Sequence, residues 1–207
     1  ARRAIAHALG ATRPDEVVLT SGATEADNAA IIGLAQAAAH ARRLGGAGGA
    51  QPHVVVSAIE HDAVLAPAKR LEQMGFSVTR VQPDRNGFIT VAALEQVMRP
   101  ETVLVSVMAA NSEVGSVQPV AELARTAHAA GALFHTDATQ ALGKVPVNVV
   151  DWGCDAASFS AHKVGGPKGV GALYVKSRTP FDAFMLGGGQ EAGRRSGTQN
   201  VCGAAGF

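Results

Sequence analysis

Residues 156–175 read AASFSAHKVGGPKGVGALYV, and this stretch decides the fold. The segments 156–160 and 171–175 are short and mostly apolar, which is typical of strands buried on both faces of a sheet. His162 and Lys163 directly follow the first segment and lead into a glycine-rich turn. The stretch therefore predicts two core strands, with side chains capable of chemistry at the carboxyl end of the first.

Similar apolar segments recur along the chain and alternate with alanine-rich stretches of helical spacing. Buried strands that alternate with helices indicate an α/β domain with a mostly parallel seven-stranded sheet covered by helices on both faces. The segment 42–51, rich in glycine, is predicted to be a flexible surface loop. The remaining strands are predicted at 17–20, 54–57, 77–81, 103–107 and 133–137, and the helices at 23–40, 63–74, 91–98 and 120–130.

The composition excludes several classes of protein. The chain has 207 residues, of which 47% are hydrophobic and 17% charged, so it can form a sizeable core and is not disordered. A net charge of +1 argues against a nucleic-acid partner, and no apolar stretch approaches the roughly 20 residues of a membrane span. Cys154 and Cys202 form neither a disulfide framework nor a metal site, which favours a cytoplasmic location.

The two ends of the chain are unusual. It opens with ARRAIA at 1–6, without an initiator methionine, and closes with CGAAGF at 202–207. The opening looks like the inside of a helix rather than a signal peptide, and the close looks like the first turn of another helix. We therefore expect a fragment of a longer protein.

Ligands of open α/β sheets bind beyond the carboxyl ends of the strands, so the residues there are the candidates. The first strand is followed by Ser21-Gly22-Ala23-Thr24-Glu25, which opens a helix. Free backbone N–H groups and the positive end of the helix dipole predict an anion site. The same residues also form a capping pattern, which is the commoner reason for such a sequence.

Three more strand ends carry ionisable residues. His61 follows the second strand, where a hydrogen-bonded structural histidine is the commoner alternative to a catalytic one. His135 and Asp137 lie on one face of the fifth strand, and a buried aspartate needs a cation or hydrogen-bond donors. No third metal ligand lies nearby in the sequence, so we predict no metal site. Lys163 ends the sixth strand, either as a Schiff-base lysine or as an ordinary surface charge.

Together these residues form a recognisable set. An anion cradle, an aspartate, a histidine and a lysine at one sheet edge are what pyridoxal 5′-phosphate needs for its phosphate, ring nitrogen, ring face and aldehyde. The glycine-rich turn after Lys163 lacks the residue order of a nucleotide-binding P-loop. The residues therefore predict a pyridoxal-phosphate site.

The chain resembles the cysteine desulfurases of the class-V aminotransferase family, which are fold-type I pyridoxal-phosphate enzymes. It is most similar to the branch that supplies iron–sulfur cluster assembly. The matching motifs occur in family order along nearly the whole chain. They are SGATEADN (21–28), EHDAVL (60–65), RNGFI (85–89), HTDATQALGKVPV (135–147), SFSAHKVGGPKGVGALYV (158–175) and GGGQEAGRRSGTQN (187–200).

The resemblance implies a role for each residue that faces the cofactor ring. Lys163 would bond to the aldehyde and then carry a proton once substrate displaces it. Asp137 would pair with the ring nitrogen, and Gln140 would hydrogen-bond the phenolic oxygen. His61 would stack on the ring and could also shuttle a proton. The catalytic residues are thus expected to be Lys163 and His61.

The resemblance also implies a phosphate site and a homodimer. Ala23 and Thr24 would bind the phosphate at the start of the helix, together with Ser160 and His162. Thr198 would reach the phosphate of the neighbouring subunit, and the 187–198 segment would belong to the dimer interface.

The chain departs from the family pattern in two ways. Ser112 stands where the family has an asparagine near the phenolic oxygen, which would leave that contact to Gln140. The family also has a segment before the position of Ala1 and a smaller C-terminal domain, which carries a sulfur-accepting cysteine and a substrate-binding arginine, and we expect both parts to be missing from residues 1–207. Cys202 matches no nucleophile position, and Cys154 is expected to be a core residue. Arg194 and Arg195 suit the interface or the cofactor region better than the substrate clamp.

The resemblance implies that the intact enzyme converts L-cysteine into L-alanine and an enzyme persulfide, which passes to a sulfur acceptor or iron–sulfur scaffold protein. Residues 1–207 would be the pyridoxal-phosphate-binding large domain and would be inactive alone. Two alternatives remain open. One is another class-V enzyme, such as a selenocysteine lyase or an aminotransferase, and the other is a non-catalytic cofactor-binding module.

Overall fold

The computed structural model describes residues 1–46 and 49–207, and its centre is one sheet of seven strands. The strands are β1 Val17–Thr20, β2 His53–Ser57, β3 Ser77–Val81, β4 Thr102–Ser106, β5 Leu133–Asp137, β6 Ala156–Ser160 and β7 Gly171–Val175. Their order across the sheet is β1-β7-β6-β5-β4-β2-β3. The seven predicted strands are therefore confirmed, each to within one residue at either end.

The sheet is mostly parallel, as predicted. Strands β3, β2, β4, β5 and β6 run parallel to one another, whereas β7 is antiparallel to both β6 and β1. The direction changes at β7 because only ten residues, 161–170, connect it to β6, and parallel strands need a longer crossover. The carboxyl ends of β2, β4, β5 and β6 consequently meet at one edge of the sheet.

Helices cover both faces of the sheet and enclose two hydrophobic clusters. The helices are α1 Arg2–Leu9, α2 Ala23–Leu44, α3 Asp62–Gln73, α4 Val91–Val97, α5 Val120–Ala129, α6 Val149–Trp152 and α7 Val201–Gly206. One cluster packs α2 and α3 against the strands, and the other packs α1, α4, α5 and α6. Alternate apolar residues of one strand serve both clusters, as Val54 and Val55 do in β2, so the central strands are apolar throughout.

Helix α2 is longer than predicted, and the loop prediction for 42–51 is wrong for residues 42–44. Arg42 donates hydrogen bonds to the backbone carbonyls of Thr102 at 2.7 Å and Gly131 at 2.8 Å, which holds the last turn of the helix against the sheet. Ala47 and Gly48 lie outside the described residues. Helices α1 and α7 confirm the helical predictions for both ends of the chain.

The two cysteines differ in their burial. Cys154 is fully buried in the core, as predicted, and Cys202 is exposed on α7. Within 1–46 and 49–207, no helix combines the length and the apolar character that crossing a membrane would require.

Candidate active site

A cavity of about 480 Å³ lies at the edge where the strand ends meet the start of α2. Eight of the nine predicted site residues line it, and the ninth, Thr198, lies in a separate cavity of about 180 Å³. A larger groove of about 600 Å³ between α4 and α5 contains none of them. The eight lining residues are Ala23, Thr24, His61, Asp137, Gln140, Ser160, His162 and Lys163.

The start of α2 is built as an anion cradle. Gly22 precedes the helix and provides no side-chain cap, so the first-turn N–H groups have no partner within the helix. The carboxylate of Glu25 accepts instead from the N–H of Ser21, at 2.8 Å, outside the first turn. The capping pattern does not rule out the predicted anion site, because the cap leaves the first-turn donors free.

Two glycines bring the β6–β7 connection against this cradle. A Cβ atom on Gly171 would lie 2.6 Å from the Cα atom of Gly22, so only glycine allows the two backbones to approach this closely. The approach places Ser160, at the end of β6, beside the start of α2. Its hydroxyl contacts Nδ1 of His162 at 2.8 Å, which orients both side chains together.

His61 has a structural contact and a free ring nitrogen at the same time. It caps α3, where its Nδ1 accepts from the N–H of Ala63 at 3.1 Å. Because Nδ1 is the acceptor, the neutral ring carries its proton on Nε2. His61 is thus a hydrogen-bonded structural residue, as one of the two predictions held. It also presents to the cavity a ring nitrogen that can exchange a proton.

Asp137 is a buried carboxylate without a charged partner. Only 6% of the residue is exposed, and its Oδ1 accepts from the N–H of Thr139 at 2.9 Å. Burial raises its pKa, against the opposing effects of the Thr139 hydrogen bonds and the charges of His61 and Lys163. In the described parts of the chain no basic side chain forms an ion pair with it. Such a carboxylate is suited to a cationic ligand group.

His135 is a buried structural residue rather than a free ligand. Its Nδ1 contacts the hydroxyl of Ser106 and its Nε2 that of Ser158, both at 2.9 Å. Burial lowers its pKa to about 3, so the ring is neutral. Both ring nitrogens are occupied by hydroxyl groups, and among residues 1–46 and 49–207 no three His, Cys, Asp or Glu side chains cluster as metal ligands would.

Two buried acids near the cavity were missed in the sequence. Asp27 lines the cavity from α2, is fully buried, and has no hydrogen-bond partner for either carboxylate oxygen. Glu60 accepts from the N–H of Met108 at 2.7 Å and from the Ser57 hydroxyl, while its second oxygen has no partner. An aspartate on the alanine-rich face of a helix is the signal that could have identified Asp27, since such a face is normally buried.

Known proteins share these motifs and this fold. The family model described as "Aminotransferase class-V" matches residues 1–207. This chain belongs to the class-V aminotransferase family. The family resemblance inferred from the motifs is thereby confirmed.

Curated relatives of this chain include proteins named "Cysteine desulfurase IscS". The one from Dictyoglomus turgidum is 44% identical over 207 residues, and the one from Anaeromyxobacter dehalogenans is 49% identical over 209 residues. Both matches cover 100% of this chain but only 50% and 49% of the relatives. The chain thus spans about half the length of the curated relatives it matches.

Solved structures are also similar to nearly the whole chain, which again matches only part of their own length. The structure described as "SspA in complex with cysteine" has a TM-score of 0.89 and 40% identity, covering 99% of this chain and 57% of its own. A "NIFS-LIKE PROTEIN" has a TM-score of 0.88 and 40% identity, covering 99% of this chain and 54% of its own. These matches confirm the α/β fold of this chain.

Gln140 is the only side-chain amide among the described residues that line the cavity. Its Oε1 accepts from the ammonium group of Lys144, which leaves the amide N–H groups free to donate elsewhere. Ser112, at the position of the family asparagine, also lines the cavity, and its hydroxyl is 3.4 Å from a carboxylate oxygen of Glu113. Gln140 therefore offers free amide N–H groups at the cavity, whereas the Ser112 hydroxyl lies beside a carboxylate.

Replacing Glu60 by glutamine is expected to flatten the dependence of stability on pH. Burial raises the pKa of Glu60 to about 8, from 4.5 for an ordinary glutamate. The folded chain therefore keeps a proton that the unfolded chain releases, and stability falls as pH rises from about 4.5 to about 8, by at most about 1.4 kcal/mol per pH unit. Glutamine keeps the acceptor oxygen and removes this contribution.

Urea unfolding of the ligand-free protein at a series of pH values measures the effect. The difference in unfolding free energy between the Glu60→Gln variant and the wild type should grow in favour of the variant as pH rises through the window. Glu95→Gln, on the exposed side of α4, is the control and should follow the wild type. Parallel curves for Glu60→Gln and the wild type would show that Glu60 is ionised in the folded protein.

Proposed function

We propose that this chain is the cofactor-binding part of a pyridoxal-phosphate-dependent cysteine desulfurase. The observation that carries the proposal is the convergence of Lys163, Asp137 and His61 on one cavity beside an uncapped helix start. The relatives named cysteine desulfurase support the choice of reaction.

The cavity fits pyridoxal phosphate at both ends. The phosphate would accept from the first-turn N–H groups at Ala23 and Thr24 and from the Ser160 hydroxyl, with His162 beside it. At the other end, a protonated ring nitrogen would supply the cation that buried Asp137 lacks. Gln140 would donate to the phenolic oxygen, and His61 would cover the ring.

Each catalytic side chain then has a defined task. When bound, pyridoxal phosphate supplies an electron sink for charge that develops on the substrate carbon. Lys163 would hold the cofactor through its aldehyde and, when the substrate amine takes its place, would move a proton at the substrate Cα atom. No carboxylate of the described residues lies within 4.0 Å of the Lys163 ammonium group, so the amine is free to do both. His61 can exchange a second proton through Nε2.

The substrate is proposed to be L-cysteine, giving L-alanine and a persulfide. Neither cysteine of this chain lines the cavity, since Cys154 is buried in the core and Cys202 lies on α7. Burial also raises the pKa of the Cys154 thiol, which makes it a poor nucleophile. We therefore assign the sulfur-accepting cysteine and the carboxylate-binding arginine to residues outside 1–207. We interpret residues 1–207 as the large domain of a longer enzyme.

The assembly is proposed to be a cytoplasmic homodimer. Thr198 is exposed and lies outside the main cavity, in keeping with a contact to the phosphate of a neighbouring subunit. The persulfide sulfur would pass to an acceptor protein or an iron–sulfur scaffold.

Incubation of the full-length protein with pyridoxal phosphate, L-cysteine and a thiol that reduces the persulfide tests the reaction, with alanine and sulfide as readouts. Equal amounts of alanine and reducible sulfur are expected. The comparison substrates are L-selenocysteine and amino acids that could serve only as amino-group donors. Cys202→Ser should keep turnover within about twofold, because Cys202 does not line the cavity. Transamination without sulfur release would refute desulfuration, and loss of turnover in Cys202→Ser would refute the assignment of the acceptor.

A further inference from the structure

Glu25 places a negative charge where the proposed phosphate would bind. It belongs to the first turn of α2 and lines the cavity, and its side chain is only 9% exposed. A carboxylate there interacts well with the helix dipole but would repel a phosphate dianion. A phosphate site at this helix start therefore needs the charge of Glu25 to be balanced.

Arg195 supplies the balancing charge. Its Nε donates to Oε1 of Glu25 at 2.6 Å and its Nη2 donates to Oε2 at 3.0 Å, which is the two-bonded geometry of strong arginine–carboxylate pairs. Oε2 also accepts from the N–H of Ser21 at 2.8 Å. Burial acts to raise the pKa of Glu25, but these hydrogen bonds outweigh it and lower the pKa, so the pair is ionised.

A second carboxylate fixes the segment that carries Arg195. Glu191 accepts from Arg2 at 2.6 and 2.8 Å and from the N–H of Leu19 at 2.9 Å. Glu191 and Ala192 have φ angles of 54° and 56°, a left-handed conformation that non-glycine residues rarely adopt. Such strain persists only where surrounding contacts hold it, so Arg195 is presented to Glu25 by a segment anchored elsewhere on the protein.

We propose that Arg195 is a positioning residue for the phosphate site. It neutralises Glu25 and, through Glu25 and Ser21, holds the turn before α2 so that the first-turn N–H groups stay available to a phosphate. Arg195 itself does not line the main cavity, so it acts through Glu25 rather than on the ligand. The inference rests on the proposed function, because it takes the ligand to be a phosphorylated cofactor.

Cofactor affinity of the full-length, cofactor-depleted protein tests the pair, with pyridoxal phosphate and phosphate-free pyridoxal as probes in parallel titrations. Arg195→Met should weaken binding of pyridoxal phosphate about tenfold to a hundredfold and leave pyridoxal binding nearly unchanged. The reason is that the Glu25 carboxylate, without its arginine partner, would repel the phosphate group, which pyridoxal lacks. The double variant Glu25→Gln/Arg195→Met should recover affinity for pyridoxal phosphate to within about threefold of the wild type. Arg13→Met, which breaks an exposed pair with Asp15, is the matched control and should change neither affinity.

A double variant as weak as Arg195→Met, or equal losses for both probes, would show that Arg195 only maintains structure. Should Arg195→Met fail to fold, Glu25→Gln alone still tests the idea. It keeps the arginine and an acceptor for Ser21, and it should bind pyridoxal phosphate at least as tightly as the wild type. A tenfold or greater loss in Glu25→Gln would overturn the proposal. Failure of the wild type to bind pyridoxal phosphate would instead overturn the proposed function, and with it this inference.

Discussion

Replacement of Lys163 by alanine is expected to abolish covalent attachment of pyridoxal phosphate and to lower turnover by about a thousandfold or more. Lys163 lines the cavity from the turn after β6 and is free of ion pairs in the described chain. The variant would lose the amine that we propose both bonds to the aldehyde and moves the substrate proton. It should still bind the cofactor non-covalently, because the phosphate cradle is built from other residues.

Borohydride reduction followed by peptide mass spectrometry measures this directly. The wild type should carry the reduced cofactor on Lys163, and Lys163→Ala should carry none. Lys168→Ala is the matched control, because Lys168 also lines the cavity and is exposed. The assignment of Lys163 fails if its alanine variant is still labelled, or if Lys168→Ala loses the label instead.

Replacement of Asp137 by asparagine should have opposite effects on catalysis and on stability. Asparagine keeps the size of the side chain but cannot hold the ring nitrogen protonated, so turnover should fall about a hundredfold to a thousandfold. The ligand-free protein, in contrast, should be as stable as the wild type or more stable by about 1 kcal/mol, because a buried carboxylate without a cation has been removed. A raised pKa for Asp137 is in keeping with this.

Turnover assays and urea unfolding of the same preparations separate the two effects. Asp155→Asn is the control, since Asp155 is also buried but accepts from the N–H of Phe134 and from His128, both at 2.8 Å. That variant should lose stability while keeping its turnover per folded molecule. If Asp137→Asn retains wild-type turnover, Asp137 does not control the charge of the ring nitrogen.

The local sequence pattern was sufficient to predict most strands of the sheet. The strands at Ser77–Val81, Leu133–Asp137, Ala156–Ser160 and Gly171–Val175 were predicted to the residue, because runs of apolar residues bounded by turn residues are a short-range signal. The end of α2 was not, because the last turn is held by bonds from Arg42 to carbonyl groups 60 and 89 residues further along the chain. No local pattern encodes such contacts.

The site residues divide in the same way. His61, Asp137 and Lys163 could be predicted as site residues because each lies at or shortly after the carboxyl end of an apolar strand, where α/β sheets bind ligands. Asp27 and Glu60 were missed because their significance lies in burial without a full set of hydrogen bonds. Burial of this kind depends on what packs over a residue and is invisible in its neighbours along the chain.

The sequence by itself determined the strands, most of the helices, the family, and the order in which reactive side chains occur at the strand ends, since all of these are encoded locally or in motifs. Only the tertiary structure decided which side chains share a cavity and what charge each carries there. It placed Thr198 apart from the other eight predicted site residues and joined Arg195 to Glu25 across 170 residues of chain. The physical reason is that solvation and ion pairing depend on distances in space, which the packing of distant segments sets.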